Sequence, residues 1–276
     1  MRTVGFKAAT LALVIGACSA SPGASQEPPA SAGEGQPFTT QVVADFTSPW
    51  AMTFVPGRAN QALVTEKGGK LFLVDVGTGQ RQEVSGVPGN IRVAGQGGLG
   101  DVVAAPDFAR TGNIYLSFAE GEGELSGAAV GMGRLVLDGA APRLENCRVI
   151  WRQQPKVTGG GHYSHRIAVG PDGKLYISSG ERQKFEPAQD ENGNLGRIVR
   201  LNLDGSVPND NPWARRGGVG AQAWTMGNRN VLGFAFAPDG KLWGAEMGPA
   251  GGDEFNQLER GSNYGYPIVS DGDHYD

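Results

Sequence analysis

VGPDGKLYISSGE at Val169–Glu181 and FAPDGKLWGAE at Phe236–Glu246 decide the fold of this chain. Each starts on an apolar residue, passes through Pro-Asp-Gly and continues as a run alternating with period two. Proline presets the turn, Asp bonds the backbone just beyond it and Gly accepts positive φ, so each segment predicts a hairpin leading into a half-buried strand. Two looser copies precede them, FVPGRANQALVTE at Phe54–Glu66 and AAPDFARTGNIYLSFAE at Ala104–Glu120. Their prolines, Pro56, Pro106, Pro171 and Pro238, recur every 50 to 67 residues. That exceeds the ~40 to 50 residues of regular propeller repeats, so the excess goes to inserted loops. Further strand signals lie at Lys70–Val74, Arg148–Trp151 and Ile198–Leu203, and no amphipathic segment of helical period stands out. The pattern predicts an all-β chain, a β-propeller of four-stranded blades around a central channel. The rival, a β-sandwich, would space its turns more closely and evenly.

A chain of 276 residues can bury one substantial core, and its 45 glycines, about twice the ~7% average with no collagen period, must serve many turns. The N-terminus combines Arg2 and Lys7 with an apolar run at Ala8–Ile15 too short to cross a ~30 Å hydrocarbon layer, which reads as a cleaved signal. Ile15-Gly16-Ala17-Cys18 resembles a bacterial lipobox, with Cys18 as the lipidated residue; an ordinary cleaved signal containing a Cys is the alternative. The expected organisation is a lipoprotein-type signal at 1–17, a Ser/Pro/Ala/Gly-rich tether at 18–40 and a propeller domain at 41–276, in an exported, periplasm-facing protein held to the membrane by an N-terminal lipid anchor. Cys147 is the only other cysteine, so once Cys18 is lipidated no internal disulfide can form. Formal net charge is −4, two units more negative once Arg2 and Lys7 are removed, and no basic run offers an electrostatic basis for nucleic-acid binding.

The candidate functional residues sit in glycine-rich polar clusters between the strands, where loops on a rigid scaffold carry binding groups. In GGGHYSHR (Gly159–Arg166), three glycines let backbone and ligand approach closely before His162, although a lone loop histidine is more often structural. His162 and His165 at i and i+3 would converge on a zinc ion only in a helix, and the glycines argue for extended chain. GQGGLGDV (Gly95–Val102) places Gln96 in a turn without the Lys and Ser/Thr of a phosphate loop. WTMGNRN (Trp224–Asn230) contains Arg229-Asn230, by itself an ordinary surface pair. AEMGPAGGDEFNQL (Ala245–Leu258) offers Gly248-Pro249 and Gly251–Glu254, the carbonyls and carboxylates that hard cations take, a composition that most often binds nothing. GSNYGYP follows at Gly261–Pro267, and DGDHYD at Asp271–Asp276 lacks EF-hand spacing and reads as a turn.

Taken together and in this order, from about Pro49 to Asp276, these clusters resemble the glucose/sorbosone dehydrogenase family of soluble quinoprotein sugar dehydrogenases. The resemblance implies a six-bladed β-propeller carrying pyrroloquinoline quinone (PQQ) and calcium, which oxidises aldose sugars at the anomeric carbon to lactones and passes electrons to a quinone, cytochrome or dye. It implies His162 as general base, a role that suits imidazole at neutral pH. It places Glu181 as the orienter of His162, where the family usually has Asp, and Arg229 as stabiliser of the oxyanion formed on quinone reduction. Gln96, Arg229, Asn230, Ser270 and Tyr275 match PQQ contacts. The carbonyls of Gly248 and Pro249 match the calcium that also touches PQQ, and Glu254 with the backbone of Tyr264 a second, structural calcium. Relative to the family pattern the chain is C-terminally truncated, without the later PQQ-binding Lys and Arg residues. The alternative is a non-catalytic, calcium-stabilised binding propeller that has lost cofactor. A propeller lactonase would need an acid- and Asn-rich metal centre that no segment supplies.

Overall fold

The computed structural model describes residues 38–273, so Tyr275, the signal segment, Cys18 and nearly all of the tether lie outside the described residues. Residues 38–42 belong to a separate unit and contain no strand or helix; everything from Val43 onward forms one unit. That unit consists of four antiparallel sheets in chain order. The first contains Pro49–Phe54 (β1), Gln61–Glu66 (β2), Lys70–Asp75 (β3) and Arg81–Glu83 (β4). The second contains Leu99–Ala104 (β5), Asn113–Glu122 (β6), Leu125–Val136 (β7) and Arg143–Arg152 (β8). The third pairs Ser164–Val169 (β9), Leu175–Ser179 (β10) and Arg197–Leu201 (β11), with a single bridge from Val199 to Ala223 in the outer position. The fourth pairs Val231–Phe236 (β12), Leu242–Glu246 (β13) and Glu254–Gln257 (β14).

The sequence repeat is the hairpin joining the first two strands of every sheet. Phe54, Ala104, Val169 and Phe236 end the first strands and pair with Ala62, Ile114, Leu175 and Leu242 of the second. In the two Pro-Asp-Gly copies the Asp172 and Asp239 carboxylates accept the amides of Lys174 and Lys241, both at 3.1 Å. Gly173 and Gly240 take φ of 68° and 81°, which a side chain would resist. The second copy lacks Asp-Gly and turns instead through one helical turn, Phe108–Thr111 (α1), stopped by Gly112 in the left-handed region.

The first strands β1, β5, β9 and β12 pack side by side in sequence, as inner strands of consecutive propeller blades do. A separate hydrophobic core fills each joint. Leu63, Leu71 and Leu73 of the first sheet meet Leu99, Ile114 and Phe118 of the second. Tyr115, Val130 and Trp151 meet Ile167, Leu175 and Ile177 of the third, and Tyr176 and Ile198 meet Val231, Leu242 and Leu258 of the fourth. Each such side chain contributes roughly 1.5 to 3 kcal/mol by leaving water, so the joints hold the blades in fixed register. Apolar side chains on the two outer sheets, among them Met52, Phe54 and Phe255, lie exposed.

All four repeats close on a glutamate, Glu66, Glu120, Glu181 and Glu246, and all four are buried at the same end of the second strands. Two serve the scaffold: Glu66 accepts the Thr47 amide at 2.7 Å, and Glu120 pairs with Arg152 at 2.8 Å and Lys156 at 2.7 Å. The other two face the loops that precede β9 and β12.

Candidate active site

Those loops place the candidate residues at the entry ends of the inner strands: Gln96 before β5, His162 before β9, Arg229 and Asn230 before β12. His162 is buried, with its Nδ1 in a very short hydrogen bond to Glu181 Oε1. The other carboxylate oxygen of Glu181 accepts the amides of Lys184 at 2.6 Å and Phe185 at 3.0 Å. Burial alone would raise the Glu181 pKa, but the His162 contact and the two amides outweigh it and hold the carboxyl below its ordinary value. An ionised acceptor fixes the Nδ1–H tautomer and leaves the lone pair of His162 on Nε2. The longer glutamate side chain therefore reaches the imidazole directly.

Backbone strain concentrates here. His162, Ser164, His165, Arg182, Gln183 and Phe185 all have positive φ, between 47° and 66°. Non-glycine residues keep such angles only where the surroundings over-determine them. One cause is Arg182, fully buried, whose guanidinium gathers the carbonyls of Gly161 (2.8 Å), Ser126 (2.5 Å) and Gly159 (2.6 Å) and lies 3.7 Å from the centre of the Tyr163 ring. The glycine run is thus wrapped around a cation, and Gln96 Oε1 adds a 2.7 Å bond from the His162 amide.

Glu246 does for the second loop what Glu181 does for the first. Its Oε1 accepts the amides of Arg229, very closely, and Asn230 at 3.2 Å, and its Oε2 accepts Asn228 Nδ2 at 3.0 Å. Burial, opposed by those hydrogen bonds and reinforced by the charge of Glu254, pushes its pKa up to about 7. The Arg229 guanidinium donates to the carbonyls of Met247 at 2.8 Å and Gly248 at 2.6 Å. The loops are tied together: Glu181 N donates to the Arg229 carbonyl at 2.9 Å, and Ser164 Oγ to Asn230 Oδ1 at 2.8 Å. Asn230 Nδ2 is buried without a hydrogen-bond acceptor.

Gly248, Pro249, Glu254, Tyr264 and Ser270 all border one narrow cleft of about 10 Å³, together with Glu246. Both residue pairs that the sequence assigned to separate calcium ions therefore meet at one place. Pro249 O accepts the Gly252 amide at 2.8 Å and Gly248 O the Arg229 guanidinium, but each carbonyl keeps a second lone pair. With the Glu246 and Glu254 carboxylates the cleft gathers oxygens, the donor type of a hard cation, although the Arg229 cation borders it too. Among the described residues no group of three or more His, Cys, Asp or Glu side chains is close enough to hold a metal by side chains alone.

The three residues that follow His162, Tyr163, Ser164 and His165, join Trp50, Lys67, Gln96, Leu232 and Met247 around a cavity of about 310 Å³. Its size is at the lower end of cofactor pockets. A larger open groove of about 530 Å³, bordered by Arg92, Glu124 and Thr158, adjoins the same glycine run. Planar aromatic and apolar walls, the Lys67 cation and the amide of Gln96 match a flat, acceptor-rich anion such as PQQ.

Sequence reasoning singled out one glutamate of the repeat for the site and passed over Glu246, Arg182 and Trp50. A signal for Glu246 was present, since its repeat also closes on a glutamate, four residues past the first paired position (Leu242) where Glu181 lies six past its own (Leu175).

A propeller that seats a carboxylate-held histidine at the mouth of its inner strands, in a loop that also walls a cavity, has the build of a ligand-binding propeller. The chain belongs to the glucose/sorbosone dehydrogenase family, whose model matches residues 46–276. It is 41% identical over 229 residues to the aldose sugar dehydrogenase YliI of Escherichia coli, covering 82% of this chain and 61% of that protein. It is 32% identical over 255 residues to quinoprotein glucose dehydrogenase B of Acinetobacter calcoaceticus, covering 83% of this chain and 52% of that protein. The PQQ-bound aldose sugar dehydrogenase of Streptomyces coelicolor superposes with a TM-score of 0.74 at 28% identity, covering 83% of this chain and 65% of that structure. The chain thus spans less than two thirds of the length of these relatives; four blades in 65% of a length scale to about six.

Proposed function

We propose that the chain carries the base- and cofactor-bearing blades of a PQQ- and calcium-dependent aldose dehydrogenase. The observation that carries this reading is the buried His162–Glu181 pair, which leaves the imidazole lone pair on Nε2, in the loop whose next three residues wall the 310 Å³ cavity. Bound there, PQQ would supply the two-electron acceptor for a hydride from the sugar's anomeric carbon. His162 Nε2 takes the proton of the anomeric hydroxyl, and Glu181 stabilises the imidazolium that results. Arg229 and the unsatisfied Asn230 amide provide donors for the cofactor's oxygens, Gln96 holds the His162 loop, and Arg229 and Ser270 border the small cleft of Glu246 and Glu254. Gly248, Pro249, Glu254, Tyr264 and Glu246 would hold calcium. The products are an aldonolactone and a reduced cofactor, whose electrons leave to a quinone, cytochrome or dye. For the N-terminal segment we propose export and lipid attachment at Cys18; among the described residues no helix is long and apolar enough to cross a membrane.

The test is a PQQ titration with calcium and then with a chelator, followed by the cofactor's absorbance, and a dye-linked aldose assay. Saturable, calcium-dependent binding supports the reading. His162→Ala should abolish sugar oxidation while PQQ affinity stays within several-fold; normal turnover in that variant refutes the base assignment. A second reading, a binding propeller without cofactor, draws on the hydrogen bonds already made by the Gly248 and Pro249 carbonyls. A folded chain that binds calcium but no PQQ would favour it.

A further inference from the structure

His165 takes no part in the chemistry above, yet its position is built with unusual care. Its backbone has φ of 53°, a conformation that favours glycine, and the site nevertheless holds an imidazole. The space for that ring comes from Gly100, where a β-carbon would overlap the Nδ1–Cε1 edge. The ring stacks on Trp50, centroids 5.0 Å apart and planes 16° from parallel. Nδ1 lies 2.8 Å from Ser117 Oγ, and His165 is one of the residues that line the 310 Å³ cavity.

The hydrogen-bond balance fixes the tautomer. Ser117 Oγ accepts the Asp101 amide at 2.7 Å, and the hydroxyl, fully buried, has no acceptor for its own hydrogen other than His165 Nδ1. Ser117 therefore donates to Nδ1, and the imidazole proton sits on Nε2. Nε2 makes no hydrogen bond within the described residues. Burial, opposed by a hydrogen bond with the residue's own backbone and reinforced by the charges of Arg166 and Arg182, lowers the His165 pKa to about 3, so the ring is neutral throughout the physiological range.

We infer that His165 is a further ligand-contacting residue, offering its Nε2–H from the Trp50-stacked wall of the cavity to an oxygen of a planar, acceptor-rich cofactor. The inference rests on the proposed PQQ reading and deepens it: the wall supplies a fixed neutral donor next to the cation of Lys67. A neutral donor orients an oxygen without drawing it away from the cation, so His165 governs how the cofactor sits rather than only how strongly it binds.

The test uses the full chain with PQQ and calcium. Imidazole ¹⁵N shifts should show His165 as the Nε2–H tautomer, with that resonance moving when PQQ saturates. His165→Phe keeps the stacked ring and removes the donor; PQQ affinity should fall about fivefold to tenfold and the absorbance of the bound cofactor should shift. His165→Gln returns an N–H near the Nε2 position and should restore affinity to within about threefold of wild type. An Nδ1–H tautomer, a resonance unmoved at saturation, or a folded His165→Phe with wild-type affinity and spectrum would overturn the contact while leaving the quinoprotein reading intact. Failure of the wild-type chain to bind PQQ would overturn that reading and the contact together.

Discussion

Lowering the pH from 7 to 5 should destabilise the protein by about 2 kcal/mol through His165 alone. The imidazole has a pKa of about 3 in the folded chain because burial, joined by the charges of Arg166 and Arg182, disfavours its cation. In the unfolded chain it titrates near 6.5. The folded state thus binds fewer protons between these values, so the contribution of His165 to stability is fully present above about pH 6.5 and is lost progressively as pH falls towards 3. Each pH unit in the window is worth about 1.4 kcal/mol; with partial protonation of the unfolded chain near pH 7, the step from 7 to 5 amounts to about 2 kcal/mol. Asp101, next to Ser117, acts in the other direction, since burial raises its pKa despite Arg166, and it cancels when two chains that both contain it are compared. The assay is urea unfolding of wild type and His165→Gln at pH 7, 6 and 5. The stability difference between them should shift by about 2 kcal/mol in favour of the variant across that range. A difference that stays constant with pH would refute the buried neutral imidazole, and with it the tautomer argument.

Glu181→Gln should fold normally and lose about 10² to 10⁴ in kcat with little change in KM. The Lys184 and Phe185 amides both need an acceptor, so the new carbonyl turns to them and the NH₂ faces His162 Nδ1, forcing the proton onto Nε2 and removing the base; unchanged kcat in the dye-linked assay would contradict this. Arg182→Ala strips the Gly159, Gly161 and Ser126 carbonyls of their shared donor and should cost roughly 3 to 5 kcal/mol in denaturant unfolding. Asn230→Ala gives up one protein hydrogen bond, about 1 kcal/mol of stability, but should weaken PQQ by tenfold or more in titration if the proposed role of the unsatisfied Nδ2 holds; unchanged affinity would remove Asn230 from the cofactor contacts. A chelator should lower PQQ affinity, and Glu254→Ala should reproduce the loss without chelator; chelator-insensitive binding would remove calcium from the cleft.

The hairpins were legible because their information is local. Pro-Asp-Gly at Pro171–Gly173 and Pro238–Gly240 specifies a turn whatever surrounds it, and the period-two runs that follow carry their own inner and outer faces, so β10 and β13 fall where the pattern put them. The strand predicted at Arg148–Trp151 is the end of a longer one, Arg143–Arg152, whose first half reads Arg-Leu-Glu-Asn, too polar to signal a strand until β7 supplies its ladder. Glycine-rich loops could be located from composition, but not the direction in which their side chains point. Arg182 looks like a surface residue in Glu-Arg-Gln-Lys and is fully buried because three carbonyls from 126 to 161 converge on it.

What the sequence by itself determined is the repeated hairpin, the all-β class and the position of the glycine-rich loops between strands, since turn propensity and alternation act over a few residues. Only the tertiary structure decided that, of the four glutamates that close the repeats, Glu66 and Glu120 serve the scaffold while Glu181 and Glu246 hold the His162 and Arg229 loops, and that Gly100 clears room for His165 against Trp50. Those outcomes depend on which blade stands beside which, and blade packing brings together groups that no local pattern relates.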